Sequence, residues 1–210
     1  MKRLLACLLS LLPAAQAVAH PHVFVDTTLR VALDDNQRVT GIELHWAYDE
    51  FFTLMLLEDM GLDPDGDGVL TEDELAILQG FELDNWPEDF EGDIYLYDDG
   101  RKLAPGTPEP RGVTVEDGRI LSAHFRPLEP VAADGLEILQ YDPSYYVAYT
   151  LDPEIAVPAP CRAEIVAADL DAAEAAVQAE LMRVPEDQFE VLEVGIHYAD
   201  RIMLTCEPSS

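Results

Sequence analysis

The sequence predicts an α+β chain: a mainly antiparallel β domain with an inserted EF-hand-like helical segment and one further helix near the C-terminus. Three observations carry this reading. Short runs rich in Val, Thr, Ile and Tyr alternate apolar with polar residues and are separated by Asp-, Asn- and Gly-containing turns. Residues 49–91 break that alternation with helical spacing on both sides of a twelve-residue acidic loop. Residues 169–182 form an Ala- and Glu-rich stretch free of Gly and Pro.

In chain order, residues 23–32 alternate and are rich in Val and Thr, and residues 39–48 follow the turn Asp34-Asp35-Asn36, so the two read as a hairpin. Residues 49–60 read as a helix, and Gly61 stops it two residues ahead of the acidic loop, where a standard incoming helix would still be running. Leu75, Leu78 and Phe81 then recur at helical spacing and give the exiting helix an apolar face. Residues 93–97 resume the strands, Asp99-Gly100 marks a turn, and the Pro-rich residues 105–112 read as a loop. Residues 113–115 and 120–125 flank Asp117-Gly118, a strong hairpin signal. Residues 136–141 and 145–151 flank Asp142-Pro143-Ser144, which predicts another hairpin. Residues 162–167 read as a strand, residues 169–182 as a helix capped by Asp169, and residues 201–206 as a final strand.

The first 19 residues are set apart from this fold. Lys2 and Arg3 precede an apolar run and the small-residue site Ala17-Val18-Ala19, the pattern of a cleaved secretory signal peptide with His20 as first mature residue. That predicts a periplasmic product of residues 20–210, one domain carrying an insertion at about 49–91, with no membrane span left after cleavage. The chain holds 42 Asp and Glu against 12 Lys and Arg, a formal charge of −30. A phosphate backbone would be repelled, which excludes nucleic acid as a natural partner and favours cations. Two cysteines remain after cleavage, Cys161 and Cys206. An even count in an oxidising compartment reads as one disulfide, worth roughly 3–4 kcal/mol on the chain-entropy model; the rival reading, two thiolate metal ligands, lacks CxxC spacing.

The most specific short signal is residues 63–74, Asp-Pro-Asp-Gly-Asp-Gly-Val-Leu-Thr-Glu-Asp-Glu, the calcium-loop pattern. Calcium takes six to eight oxygens, and such a loop supplies them from alternating positions. Asp63, Asp65 and Asp67 stand at positions one, three and five, Gly68 at the sharp turn, and Leu70 where an apolar residue pins the loop to the core. Val69 would offer its carbonyl, Thr71 a water-mediated contact and Glu74 a bidentate carboxylate. The bland alternative is an acidic turn in an acidic protein. No second loop completes a pair: residues 169–180 have acidic ends but lack the Gly and the third acid.

Two of the five histidines open the mature chain as His20-Pro21-His22. An N-terminal His chelates through amine and imidazole, and imidazole suits zinc, copper, nickel and cobalt. Pro21 has no amide proton, which blocks the square-planar copper or nickel site built on deprotonated amides, so more side chains are needed. His45, in the strand paired with the first, is the best third ligand, with His124, His197, Asp26 and Glu43 as additions. The alternative is a set of exposed or structural histidines. Gly-x-Ser-x-Gly, His-Glu-x-x-His and phosphate-loop motifs are all absent, so the sequence reads as a non-enzyme.

The run Ala19–Asp26, then residues 45–51, the Asp-Gly-Asp-Gly loop and residues 141–146 (Tyr-Asp-Pro-Ser-Tyr-Tyr) occur in the order found in one family. In these the chain resembles an uncharacterised periplasmic family, a domain of unknown function described as the periplasmic component of an ABC-type transport system. Its members commonly lie beside, or are fused with, permeases of the nickel/cobalt type. The resemblance implies a divalent-metal-binding accessory of a transition-metal (nickel, cobalt or zinc) transport system, with an inner-membrane permease as partner. Set against it is a calcium-stabilised structural or interaction module, with Tyr145, Tyr146 and Tyr149 as partner-facing residues.

Overall fold

The computed structural model describes residues 21–83, 86, 90–185 and 192–207. The signal peptide expected over residues 1–19, and His20 with it, lie outside the described residues. Among the described residues ten strands form two five-stranded sheets. The first holds β1 (Val23–Leu33), β2 (Arg38–Tyr48), β5 (Glu109–Glu116), β6 (Arg119–Ala132) and β8 (Val147–Leu151), in the order β5-β6-β2-β1-β8. The second holds β3 (Ile94–Asp98), β4 (Arg101–Leu103), β7 (Glu137–Gln140), β9 (Cys161–Val166) and β10 (Arg201–Cys206), in the order β4-β3-β7-β10-β9. All pairs are antiparallel except β1 with β8. The mainly β, α+β expectation holds.

Period-two alternation explains the core. In β1 the odd residues Val23, Val25, Leu29 and Val31 are buried while Phe24, Asp26 and Arg30 face out. In β2 the even residues Ile42, Leu44, Trp46 and Tyr48 are buried, and Glu43, His45 and Ala47 share the opposite face. These inward faces join Ile94, Leu96, Leu136, Ile138, Ile202 and Leu204 of the second sheet's strands and approaches in one apolar cluster. Gly41 sits where β6 crosses closely, since a Cβ there would overlap the Phe125 ring.

Between β2 and β3 the chain passes from one sheet to the other through the helical segment. Helix α1 (Glu50–Met60) starts at Asp49, which accepts from Phe52 N at 2.8 Å and also holds the backbone N–H of Phe24. It ends at Gly61, in the left-handed conformation at φ 67°, so the early stop expected from the sequence is present. Helix α2 (Glu72–Leu78) opens on a capping box between Thr71 and Glu74. Gln79 then locks it to the first sheet, donating to Val113 O at 2.8 Å and accepting from Val113 N at 3.0 Å.

Two expectations are corrected. Residues 136–141 and 145–151 do not form a hairpin: β7 lies in the second sheet and β8 in the first, parallel to β1. Asp142 redirects the chain, its carboxylate accepting from the N–H groups of Ser144 and Val147 and from the Ser144 hydroxyl, with Tyr145 at φ 60°. The Pro-rich stretch 105–112 is not all loop, because β5 begins at Glu109. It is an edge strand, and its register shifts between Pro110 and Gly112, the kind of place a sheet tolerates proline. Helix α3 (Leu170–Leu181) is capped by Asp169 as expected. Cys161 and Cys206 face each other across β9 and β10 and form a disulfide. Among the described residues no helix is long and apolar enough to cross a membrane.

Candidate functional site

The acidic loop turns outward between α1 and α2. Asp63, Asp65 and Asp67 bring one carboxylate oxygen each within 4.8 Å of one another, the only such group of three or more His, Cys, Asp or Glu among the described residues. Gly66 and Gly68 take positive φ angles of 69° and 77°, and Asp63 one of 52°. The turn they make aims backbone N–H groups inward: Asp67 N and Gly68 N donate to the two oxygens of Asp63 at 3.1 and 3.0 Å, and Val69 N donates to Asp67 at 2.8 Å. Repulsion from Asp67, with Asp63 beside it, pushes the Asp65 carboxyl above its ordinary pKa. Glu74 lies outside that group of three carboxylates and accepts from Asp63 N at 3.2 Å and from the Thr71 hydroxyl at 2.7 Å. Its hydrogen bonds from Thr71 hold its carboxyl below the ordinary range. Leu70 is buried, anchoring the loop to the core. Carboxylate oxygens are the donor type that hard cations such as calcium take.

The histidines are dispersed. His22 is exposed, its ring 4.9 Å from that of Tyr146 and its N–H on Tyr146 O. His45 lies opposite Thr28 in the β1–β2 register, six residues along from His22, or about 20 Å at the rise of a strand. The register therefore keeps His22 and His45 apart, which corrects the expectation that His45 joins His22 as a ligand. His45 Nε2 instead lies 2.6 Å from Glu43 Oε1 on the outward face. His197 pairs with Glu180 at 3.0 Å, and Asp26 with Arg119 at 2.8 Å. Of the three tyrosines expected to face a partner, Tyr146 is exposed, Tyr145 stacks on Tyr198, and Tyr149 turns inward to Asp93.

A second polar group, missed as a unit from the sequence, lies between the sheets. Along β6 the inward positions run Ile120, Ser122, His124, Arg126, Leu128, so three polar residues occupy a buried face. Glu82, just beyond α2, reaches over them: its Oε2 accepts from Ser122 Oγ at 2.6 Å and from Tyr48 Oη at 3.0 Å. Its Oε1 lies 3.3 Å from His124 Nδ1. His124 is fully buried, and neither ring nitrogen makes a hydrogen bond. Trp46 and Trp86 stand against it, with ring centroids 4.7 and 6.2 Å away. Gly92 lets the chain pass Trp86 and Arg126, where a Cβ would overlap both side chains. On the other side of Trp46, whose ring lies 5.6 Å from that of Tyr149, Tyr149 donates to Asp93 at 2.8 Å and Thr27 to Gln140 at 2.9 Å, while Asp93 Oδ1, Gln140 Nε2 and Trp46 Nε1 have no hydrogen-bond partner. Burial raises the Asp93 carboxyl to a pKa of about 7, against the Tyr149 bond that lowers it.

A relative from Haemophilus influenzae (strain ATCC 51907 / DSM 11121 / KW20 / Rd), an "Uncharacterized protein", is 26% identical over 218 residues, covering 95% of this chain and 97% of its own. Among solved structures the chain is similar to the acetylcholine-binding protein type 1 of Biomphalaria glabrata, with a TM-score of 0.34 and 11% identity over 90% of this chain and 88% of that one. It is also similar to the acetylcholine-binding protein of Bulinus truncatus, with a TM-score of 0.32 and 10% identity over 88% and 87%. Likenesses at this level carry no functional argument. The family described as "Protein of unknown function (DUF1007)" matches residues 5–206, and the chain belongs to it.

Proposed function

We propose that this protein is a periplasmic divalent-metal-binding accessory of a transition-metal (nickel, cobalt or zinc) transport system, with calcium as a structural ion in the loop 63–74. The observation that carries the calcium half is the convergence of Asp63, Asp65 and Asp67 on one point of a turn whose own carboxylates repel. A cation there removes that repulsion, and the carbonyl of Val69, a water on Thr71 and the carboxylate of Glu74 complete an oxygen shell. At calcium levels outside a cell even a site of about 10⁻⁴–10⁻³ M fills. The ion then clamps α1 to α2 and fixes the segment that crosses between the sheets.

The transition-metal half rests on the imidazoles of an exported, strongly acidic chain and on the sequence likeness to a family found beside nickel/cobalt permeases. An inner-membrane permease is the corresponding partner. A calcium-stabilised interaction module is favoured by a different feature: Phe51, Leu54 and Met55 project from one side of α1 into solvent, with Phe24 close to its start. Elemental analysis of untagged protein isolated from its own host, without chelator, separates the two. Calcium together with zinc, nickel or cobalt supports the accessory role. Calcium alone supports the interaction module, a transition metal without calcium overturns the calcium half only, and neither metal overturns both readings.

A further inference from the structure

His124 is the least explained residue of the core. Its Nε2 is buried with no hydrogen-bond partner, at a cost of about 1–3 kcal/mol, and its Nδ1 faces a carboxylate without making a hydrogen bond to it. Its Nδ1 touches Glu82 Oε1 at 3.3 Å without bonding to it. Two ligand atoms each about 2.0–2.1 Å from a tetrahedral ion stand about 3.3–3.4 Å apart. The other Glu82 oxygen is fixed by two hydroxyls, Tyr48 and Ser122, the outer support that orients a ligating carboxylate. Trp46 and Trp86 wall the imidazole on two sides.

We infer that His124 Nδ1 and Glu82 Oε1 are the protein ligands of a buried transition-metal site, zinc-, cobalt- or nickel-class, set between the first sheet and the segment that follows α2. Nitrogen beside a single carboxylate suits these ions and not calcium, which takes oxygen alone. The remaining coordination positions go to water or to a donor that arrives with the ion. The site is distinct from the calcium loop and from the N-terminal histidines. It deepens the transition-metal half of the reading above by giving that ion a place, and it is independent of the calcium half.

Glu82 and Trp86 both come from the segment downstream of the calcium loop, held by Gln79 on β5 and by Phe81 against Tyr48.

The readout is built in, because Trp46 and Trp86 are the chain's only tryptophans and both flank His124. Residues 20–210, saturated with calcium, are titrated to equilibrium with cobalt(II), and tryptophan emission is recorded. The expected result is saturable quenching by half or more at one equivalent, reversed by zinc, which competes without quenching. His124→Gln and Glu82→Gln should each weaken the apparent affinity at least tenfold, and Ser122→Ala, which only loosens Glu82, severalfold. If His124→Gln fails to fold by circular dichroism, Glu82→Gln and Ser122→Ala carry the test. A His20→Ala/His22→Ala chain should quench as the parent does. No quenching in the parent, or quenching lost with His20 and His22 but kept in Glu82→Gln and Ser122→Ala, overturns the site. The second outcome moves the ion to the N-terminus and leaves the transition-metal reading intact. Calcium-induced thermal stabilisation, measured in parallel, reports on the loop alone.

Discussion

The acidic loop and the buried polar chamber are opposite ways of building a polar site. The loop is local: its carboxylates fall within twelve consecutive residues, face solvent, and are organised by their own backbone N–H groups. The chamber is assembled from β1, β2, β6, β7, β8, the residues leading into β3 and the segment after α2, and several of its atoms have no protein partner. A local site survives in the sequence as a motif and costs the fold little. An assembled site exists only once both sheets have packed, and every group in it bears a desolvation cost. The two should therefore respond to perturbation differently.

The largest difference lies in pH dependence. The folded-state pKa of Asp93, about 7, stands above the ordinary value of 3.8. The folded chain thus holds a proton that the unfolded chain releases, so the contribution of Asp93 is full below about pH 4 and is lost as pH rises through 7. Asp93→Asn should raise stability at pH 8 by roughly 2–4 kcal/mol and flatten urea midpoints between pH 4 and 8. An unchanged pH profile would place the Asp93 proton outside the folding equilibrium.

Next comes calcium itself. If the loop binds with a dissociation constant of about 10⁻⁴ M, 10 mM calcium should add about 2.7 kcal/mol. For a domain of this size that raises Tm by about 5–10 °C. Asp93→Asn should keep that increment in full, and Asp65→Asn should lose it. A comparable effect follows from Glu82→Ala, which strips the acceptor from two buried hydroxyls and should cost about 2–3 kcal/mol in urea unfolding. Calcium affinity should change much less than stability in that variant. The smallest effect is Thr71→Ala, which removes the cap of α2 at a cost of about 1 kcal/mol. It should also weaken calcium binding, because the same hydroxyl steadies Glu74.

The same contrast governs what could be read from sequence. Alternation with Asp34-Asp35-Asn36 and Asp117-Gly118 specified β1–β2 and β5–β6, because a hairpin is written in adjacent residues. Gly61 and Asp169 marked helix ends for the same reason. Asp142-Pro143-Ser144 had the composition of a hairpin turn, but β7 and β8 belong to different sheets, and sheet membership is set by packing over the whole core. His45 was placed correctly beside β1, yet antiparallel register carried it away from His22. The one advance sign of the chamber was Ser122-x-His124-x-Arg126, a polar run at strand period bracketed by Ile120 and Leu128. Its partners Glu82, Asp93 and Gln140 carry no pattern of their own, since only the meeting of the two sheets brings them near it.

Calorimetric titration of calcium into metal-free residues 20–210 at pH 7 tests the proposed calcium site most directly, with the Asp65→Asn/Asp67→Asn chain alongside. One ion per chain is expected for the parent, with a dissociation constant of about 10⁻³ M or tighter, and no measurable binding for the variant. A parent that takes up no calcium, or a variant that binds as the parent does, would contradict a calcium site at residues 63–74.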